Sequence, residues 1–221
     1  MSNLLYVQSS PRAEKSESRA IADAFLAAYR AERPEAELDV LDLWAEPLPV
    51  FAGDHVAAKM TVIGGTTPDG REAPAWDQIL EVARRFQDAD AFLFTVPMWN
   101  HGVPWVLKHL IDTISQPGVT FGFDLETGYS GLLHGKRAAA VYTSAIWPTF
   151  GADFHATYFE DWLRFLGIED IHSVRLGSDL LDAEIECERA RARREAAELG
   201  RLFASGAEAR PPAQPALLGD R

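Results

Sequence analysis

The stretch that most constrains this chain is residues 89–118. Ala89–Asp90–Ala91–Phe92–Leu93–Phe94–Thr95–Val96 is a short apolar run with charge before it and proline after it. Such a run suits a strand covered on both faces, as in a parallel sheet. A tight loop, Pro97–Met98–Trp99–Asn100–His101–Gly102, follows at once, and Pro104 then opens a helix. Proline fits the first helical position because its missing N–H would have no intrahelical partner there. Val106, Leu107, Leu110, Ile111 and Ile114 recur at helical spacing on one face, Lys108 and Asp112 lie on the other, and Gln116–Pro117–Gly118 ends the helix. A strand, a loop at its carboxyl end and a helix form the place where open α/β sheets bind ligands. Met98 and Trp99 offer soft and aromatic surface, and Asn100 both donates and accepts. That chemistry suits a flat, conjugated, partly polar ligand.

The rest of the chain repeats the same unit. Leu4–Val7 reads as a first strand, followed by the loop Gln8–Ser18 and a helix with Ile21, Phe25, Ala28 and Tyr29 on one face, up to about Arg30. A hydroxyl-rich loop leading into a helix N-terminus has unpaired N–H groups and partial positive charge. Ser9, Ser16 and Ser18 add hydroxyls and Arg12 a full charge. On the residues alone two readings stay open: a phosphate cradle, or a helix merely capped by Ser16 or Ser18. A G-x-G-x-x-G dinucleotide fingerprint is absent.

Glu37–Leu43 alternates as a half-exposed strand, and Trp44–Val50 is expected to be extended because of its prolines. His55–Met60 predicts one helical turn, and Gly64–Gly70 a loop. Pro74 then opens a helix with Trp76, Ile79, Leu80, Val82, Ala83 and Phe86 facing inward. After residue 118 come a short hairpin within 119–131, a buried strand Ala138–Thr143, and a loop over 144–151. A helix carrying Tyr158, Phe159, Trp162, Leu163 and Leu166 is closed by Gly167. Asp170–Leu176 is a last strand, and Ala183–Ala204 a charged helix with Ile185, Leu199 and Leu202 among its inward candidates. The expectation is one α/β domain over residues 1–204 and a disordered tail over 205–221. Its architecture would be a three-layer sandwich, a five-stranded parallel sheet with helices on both faces. With a phosphate loop after the first strand, the flavodoxin-like strand order 2-1-3-4-5 is the natural choice.

Composition excludes some partners. A formal net charge of −12 over 221 residues argues against nucleic acid and against anionic membrane surfaces. No apolar run approaches membrane-spanning length. The single Cys187 sits among Glu184, Glu186 and Glu188, where a thiolate is disfavoured. No secretory signal opens the chain, so a cytoplasmic location is expected. No cluster of side chains has metal-ligand spacing.

Pro97, Met98, the aromatic Trp99, Asn100, Pro104, Leu107, Lys108 and Asp112, followed by Gly118, Thr120 and Phe121, together resemble the signature of the FMN-dependent NAD(P)H azoreductase and quinone reductase family. The resemblance extends more weakly over about residues 1–175. It implies an enzyme in which NADH or NADPH reduces FMN, and the flavin then reduces a quinone, azo compound or related acceptor at the same place, a ping-pong two-electron scheme. It implies FMN contacts at Ser9, Arg12, Ser16, Glu17 and Ser18 for the phosphate, and at Pro97, Met98, Trp99, Asn100 and His101 beside the ring. Thr143, Ser144 and Ala145 are expected at the ring's pyrimidine end. No side chain need be an essential acid or base; His101, Trp147 and His155 are candidate substrate contacts, with His155 otherwise a solvated or capping histidine. It also implies a homodimer with the site at its interface. One departure stands out. The family's loop after the fourth strand has the form T-S-x-G-G, whereas here Thr143–Ser144–Ala145–Ile146–Trp147–Pro148 reaches no glycine until Gly151. Trp147 would reshape the acceptor pocket, so a reductase dedicated to one metabolite is an alternative. A flavodoxin-like electron carrier is another, which the large loops at 44–73 and 119–135 disfavour. A serine hydrolase ranks last, because no G-x-S-x-G elbow exists.

Overall fold

A computed structural model describes residues 3–144, 153–177 and 184–206. In chain order the elements are β1 (Asn3–Gln8), α1 (Glu17–Glu32), β2 (Glu37–Asp42), α2 (Asp54–Ile63), α3 (Glu72–Asp88), β3 (Ala91–Pro97) and α4 (Trp105–Ile114). There follow β4 (Phe121–Asp124), β5 (Gly128–Gly131), β6 (Arg137–Ser144), α5 (Phe154–Phe165), β7 (Asp170–Gly177) and α6 (Ile185–Ser205). Five strands form one parallel sheet in the order β2-β1-β3-β6-β7, and β4 and β5 pair as an antiparallel hairpin outside it. Relabelled within the sheet, this is the expected order 2-1-3-4-5.

Side-chain alternation in the central strands decides the layers. Phe92, Phe94 and Val96 of β3 face the core under α3, α4 and α5, where they meet Phe86, Leu107, Leu110 and Phe159. Ala91 and Leu93 face the opposite core under α1 and α6, with Phe25, Tyr29, Ala196 and Phe203. In β6 the same alternation sends Ala138, Ala140 and Tyr142 one way and Ala139 and Val141 the other.

The expectations on element position need four corrections. The segment from Trp44 is not extended at its start: Asp42 O accepts from both Ala45 N (3.0 Å) and Glu46 N (2.8 Å), so Trp44–Glu46 is a turn. Helix α2 runs the full length Asp54–Ile63 rather than one turn. Helix α3 begins at Glu72, so Pro74 is its third residue, still within the first turn where an N–H has no intrahelical acceptor. Helix α6 does turn Ile185 and Leu199 partly inward, but its fully buried stripe is Ala192, Ala196, Gly200 and Phe203, and Leu202 is only half-buried. Small residues carry that stripe because α6 lies against α1 at backbone distance: a Cβ added at Gly200 would stand 2.3 Å from Phe25 O. The residues after 206 lie outside the described part of the chain.

Candidate functional site

The loops after β1 and β3 and the carboxyl end of β6 meet along one edge of the sheet, because these strands are consecutive parallel neighbours. The chain path reverses between β1 and β3: β1 has β2 on one side and β3 on the other. This is the switch point at which open sheets leave a crevice.

The first loop follows β1. Ser9 is fully buried, with its N–H on Thr95 Oγ1 (3.0 Å) and its hydroxyl donating to Thr95 O (2.5 Å), which ties the loop to β3. Arg12 is exposed, and among the described residues its guanidinium makes no ion pair. Ser16 is the N-cap of α1: its Oγ accepts from Arg19 N at 3.2 Å. Ser16 Oγ and Ser18 Oγ lie 3.1 Å apart in a hydrogen bond, both side chains buried. Glu17 turns the other way and pairs with Arg189 of α6 at 2.5 Å. The N–H groups of Ser10, Glu17 and Ser18 donate to no protein atom among the described residues, although Ser10 and Ser18 are 2% and 1% exposed. Buried N–H groups without acceptors are uncommon and costly. At the N-terminus of a sixteen-residue helix they suit an anion.

The second loop follows β3. Trp99 and Gly102 exchange two backbone hydrogen bonds, each 2.9 Å, across Asn100 (φ 49°) and His101 (φ 66°). Two central residues at positive φ are the mark of a type I′ turn, and asparagine tolerates that region better than most residues. The turn holds Trp99, Asn100 and His101 out from the sheet edge as exposed side chains, with Pro97 and Met98 half-buried behind them. Histidine is also enriched in this region, whereas a β-branched side chain is an outlier there. Replacing His101 by Ile should therefore cost about 1–2 kcal/mol of stability through backbone strain, while Gly should be accepted with unchanged thermal unfolding. If the Gly variant lost as much stability as the Ile variant, the His101 side chain, not the turn, would be what matters.

The end of β6 completes the edge. Met98 N–H donates to Thr143 O (2.8 Å), and Ser144 Oγ donates to Met98 Sδ (3.7 Å), so Thr143 and Ser144 stand beside the second loop. Ala145 and Trp147 lie outside the described residues, as does the glycine-free departure from the family pattern.

His155, in the first turn of α5, is fully buried rather than solvated. Its Nδ1 meets Asp153 Oδ1 at 2.6 Å, and its ring stands edge-on to Tyr142 at 5.1 Å. Asp153 caps α5 by accepting from Ala156 N and also binds Arg175 at 2.5 Å. Burial lowers the His155 pKa, and this outweighs the opposing pull of Asp153. A neutral imidazole that braces the start of α5 is the result. Among the described residues no three His, Cys, Asp or Glu side chains converge as a metal site, and no helix is long and apolar enough to cross a membrane.

Reading the residues alone passed over Arg19, Asp42 and Trp44. Trp44 Nε1 donates to Ser9 O (3.0 Å), and its ring lies 6.2 Å from that of Trp99 and 5.7 Å from that of Trp105. Asp42 ends β2 and Arg19 stands in the first turn of α1, so only the sheet order brings them to the first loop. The one available signal was a tryptophan immediately beyond the alternating strand.

A parallel sheet ordered in this way, with an anion-ready loop after β1 and an aromatic loop after β3, defines a flavodoxin-like protein. A family model described as flavodoxin-like fold matches residues 2–199, and the chain belongs to that family. An FMN-dependent NADH:quinone oxidoreductase of Ruegeria pomeroyi is 47% identical over 186 residues, 82% of this chain and 91% of that protein. A protein of the same name from Desulfotalea psychrophila is 42% identical over 187 residues, 83% and 88% of the two chains. The crystal structure of azoreductase from Bacillus anthracis superposes with a TM-score of 0.83 at 26% identity, covering 92% of this chain and all of that one.

Proposed function

We propose that this chain is an FMN-dependent NADH:quinone oxidoreductase that also accepts azo compounds or related conjugated acceptors. The observation that carries this reading is the loop after β1, whose buried Ser10 and Ser18 N–H groups have no protein acceptor among the described residues. It is supported by the names of the relatives and by the aromatic loop beside it.

The residues present fit FMN. Ser16, Ser18 and the free N–H groups of the loop would hold the phosphate, with Arg12 supplying an exposed positive charge and Ser9 and Glu17 fixing the loop to β3 and α6. Pro97, Met98, Trp99, Asn100 and His101 would border one side of the ring, and Thr143 and Ser144 its pyrimidine end. When bound, FMN supplies the two-electron redox chemistry, and the protein supplies position and electrostatics. The loops would bind the nucleotide, and Asn100 and backbone N–H groups would orient the polar ring edge. The indole of Trp99 shields one flank from water. NADH and the acceptor would be taken up in turn at the open side of the site, and none of these side chains would need to act as an essential acid or base.

That open face calls for a cover. Trp105 and Phe154 are each 62% exposed, and Met60, Phe123 and Tyr129 are also exposed, whereas Phe121 packs inside the chain against Phe165. Trp105 and Phe154 open α4 and α5 at the carboxyl edge of the sheet; exposed apolar side chains there suit an interface, and a closed two-fold dimer buries the same surface on both subunits. The active unit is thus a homodimer with two equivalent sites. Rapid mixing of FMN-loaded protein with NADH should bleach the flavin absorbance without any acceptor, and steady-state double-reciprocal plots should be parallel. Light scattering should give a species of twice the 24.4 kDa chain mass. Intersecting lines with no bleaching would overturn the single-site scheme, and a fully active monomer would overturn the shared interface.

A further inference from the structure

We propose that Arg19, Asp42 and Trp44 form a clamp that holds the loop after β1 in its anion-binding shape, so that they act as positioning residues for a phosphate they do not touch. The inference rests on the reading that FMN phosphate occupies this loop.

Two consecutive carbonyls of the loop are held by donors from outside it. Ser9 O accepts from Trp44 Nε1 at 3.0 Å, and Ser10 O accepts from Arg19 Nη2 at 3.3 Å. The two donors are linked through one carboxylate: Asp42 Oδ2 takes Arg19 Nη2 at 2.8 Å, and Asp42 Oδ1 takes Trp44 N at 3.0 Å. Asp42 O in turn accepts from Ala45 N and Glu46 N, which builds the turn that presents the indole.

Planar trans peptides give this arrangement a direction. In each unit the C=O and the following N–H point opposite ways. Fixing Ser9 O on Trp44 therefore aims the Ser10 N–H away from Trp44, and that N–H has no protein acceptor among the described residues. The next unit joins Ser10 to Pro11, which has no N–H to offer. There the clamp acts only by drawing a carbonyl dipole away from an incoming anion. The ion pair adds a second effect. Asp42 at the loop would repel a phosphate dianion, and Arg19 cancels that charge; the two side chains are only 19% and 24% exposed, so water does little of the screening.

The test is titration of apoprotein with FMN and with riboflavin, which differ only in the phosphate. Trp44→Phe removes the Nε1–H and keeps a ring for Trp99 and Trp105. It should lower FMN affinity roughly fivefold, the worth of one neutral hydrogen bond, and leave riboflavin affinity unchanged. Arg19→Met should lower FMN affinity more, because a bare carboxylate is left at the loop. Adding Asp42→Asn to Arg19→Met should restore part of the FMN loss while riboflavin affinity stays unmoved throughout, a phosphate-specific rescue that a purely structural role would not give. Circular dichroism confirms that each variant folds, and Arg19→Lys, which keeps the charge, serves if Arg19→Met does not. Equal losses for both flavins, unchanged FMN affinity in Trp44→Phe, or no rescue in the double variant would each overturn the clamp. If the unsubstituted protein itself failed to prefer FMN over riboflavin, the phosphate reading would fall instead.

Discussion

Replacing Ser16 and Ser18 together by Ala is expected to lower FMN affinity well over tenfold while leaving riboflavin affinity nearly unchanged. Two hydroxyl hydrogen bonds to a charged phosphate are each worth roughly 1.5–3 kcal/mol, and about 1.4 kcal/mol is a factor of ten. The double change has a second consequence, because Ser16 also caps α1 through Arg19 N. Losing an N-cap costs about 1 kcal/mol of stability, so weaker binding by a less stable protein would be ambiguous. Ser16→Asp separates the two roles. Aspartate caps as well as serine and suits the helix dipole, so thermal stability should hold. Its charge would face the phosphate, so FMN affinity should still collapse. A Ser16→Asp protein that bound FMN normally would assign Ser16 to capping alone and would move the phosphate elsewhere.

Replacing Gly200 by Ala is expected to destabilise the fold strongly, although Ala is the better helix former. Propensity alone favours Ala by about 1 kcal/mol in a helix interior. Against that, the new Cβ would stand 2.3 Å from Phe25 O and 3.0 Å from Phe25 C, which are backbone atoms of α1 and cannot rotate aside. Overpacking typically costs about 1–3 kcal/mol and more where the neighbours are rigid. The two helices would have to separate along the Ala192–Ala196–Gly200–Phe203 seam, loosening the Arg189–Glu17 pair at the start of α1. A net loss of about 2 kcal/mol would lower the melting temperature by roughly 4–8 °C in a chain of this size. Because Glu17 neighbours Ser16 and Ser18, FMN retention at elevated temperature should fall as well. An unchanged or raised melting temperature would show that α1 and α6 do not pack as closely as described.

Much of the fold was legible in the residues because it depends on local order. Buried strands read as continuous apolar runs, and each was followed by a helix with apolar spacing. Once every β is joined by a helix, right-handed crossovers leave few sheet orders, and reading the hydroxyl-rich loop after β1 as a phosphate loop selects one of them. The same local logic picked out Ser16, Ser18 and the 97–102 loop, since hydroxyls before a helix and aromatics after a strand announce themselves at short range. The buried face of α6 was misjudged in part because apolar periodicity favours large side chains. Close helix contact instead demands small ones, and only the partner's position reveals the demand.

By itself, then, the sequence determined the succession of strands and helices, the two candidate loops at the sheet's carboxyl edge, and the family resemblance carried by Pro97–Asp112. Tertiary structure alone decided what those loops are attached to. Ser9 binds Thr95 from 86 positions away, and Trp44 reaches Ser9 across 35. Glu17 meets Arg189 across 172, and His155 is sealed beneath Tyr142 rather than left to solvent. The physical reason is the parallel sheet. It sets side by side the carboxyl ends of strands that are far apart in the chain, so contacts there follow strand order and register, which no local pattern encodes.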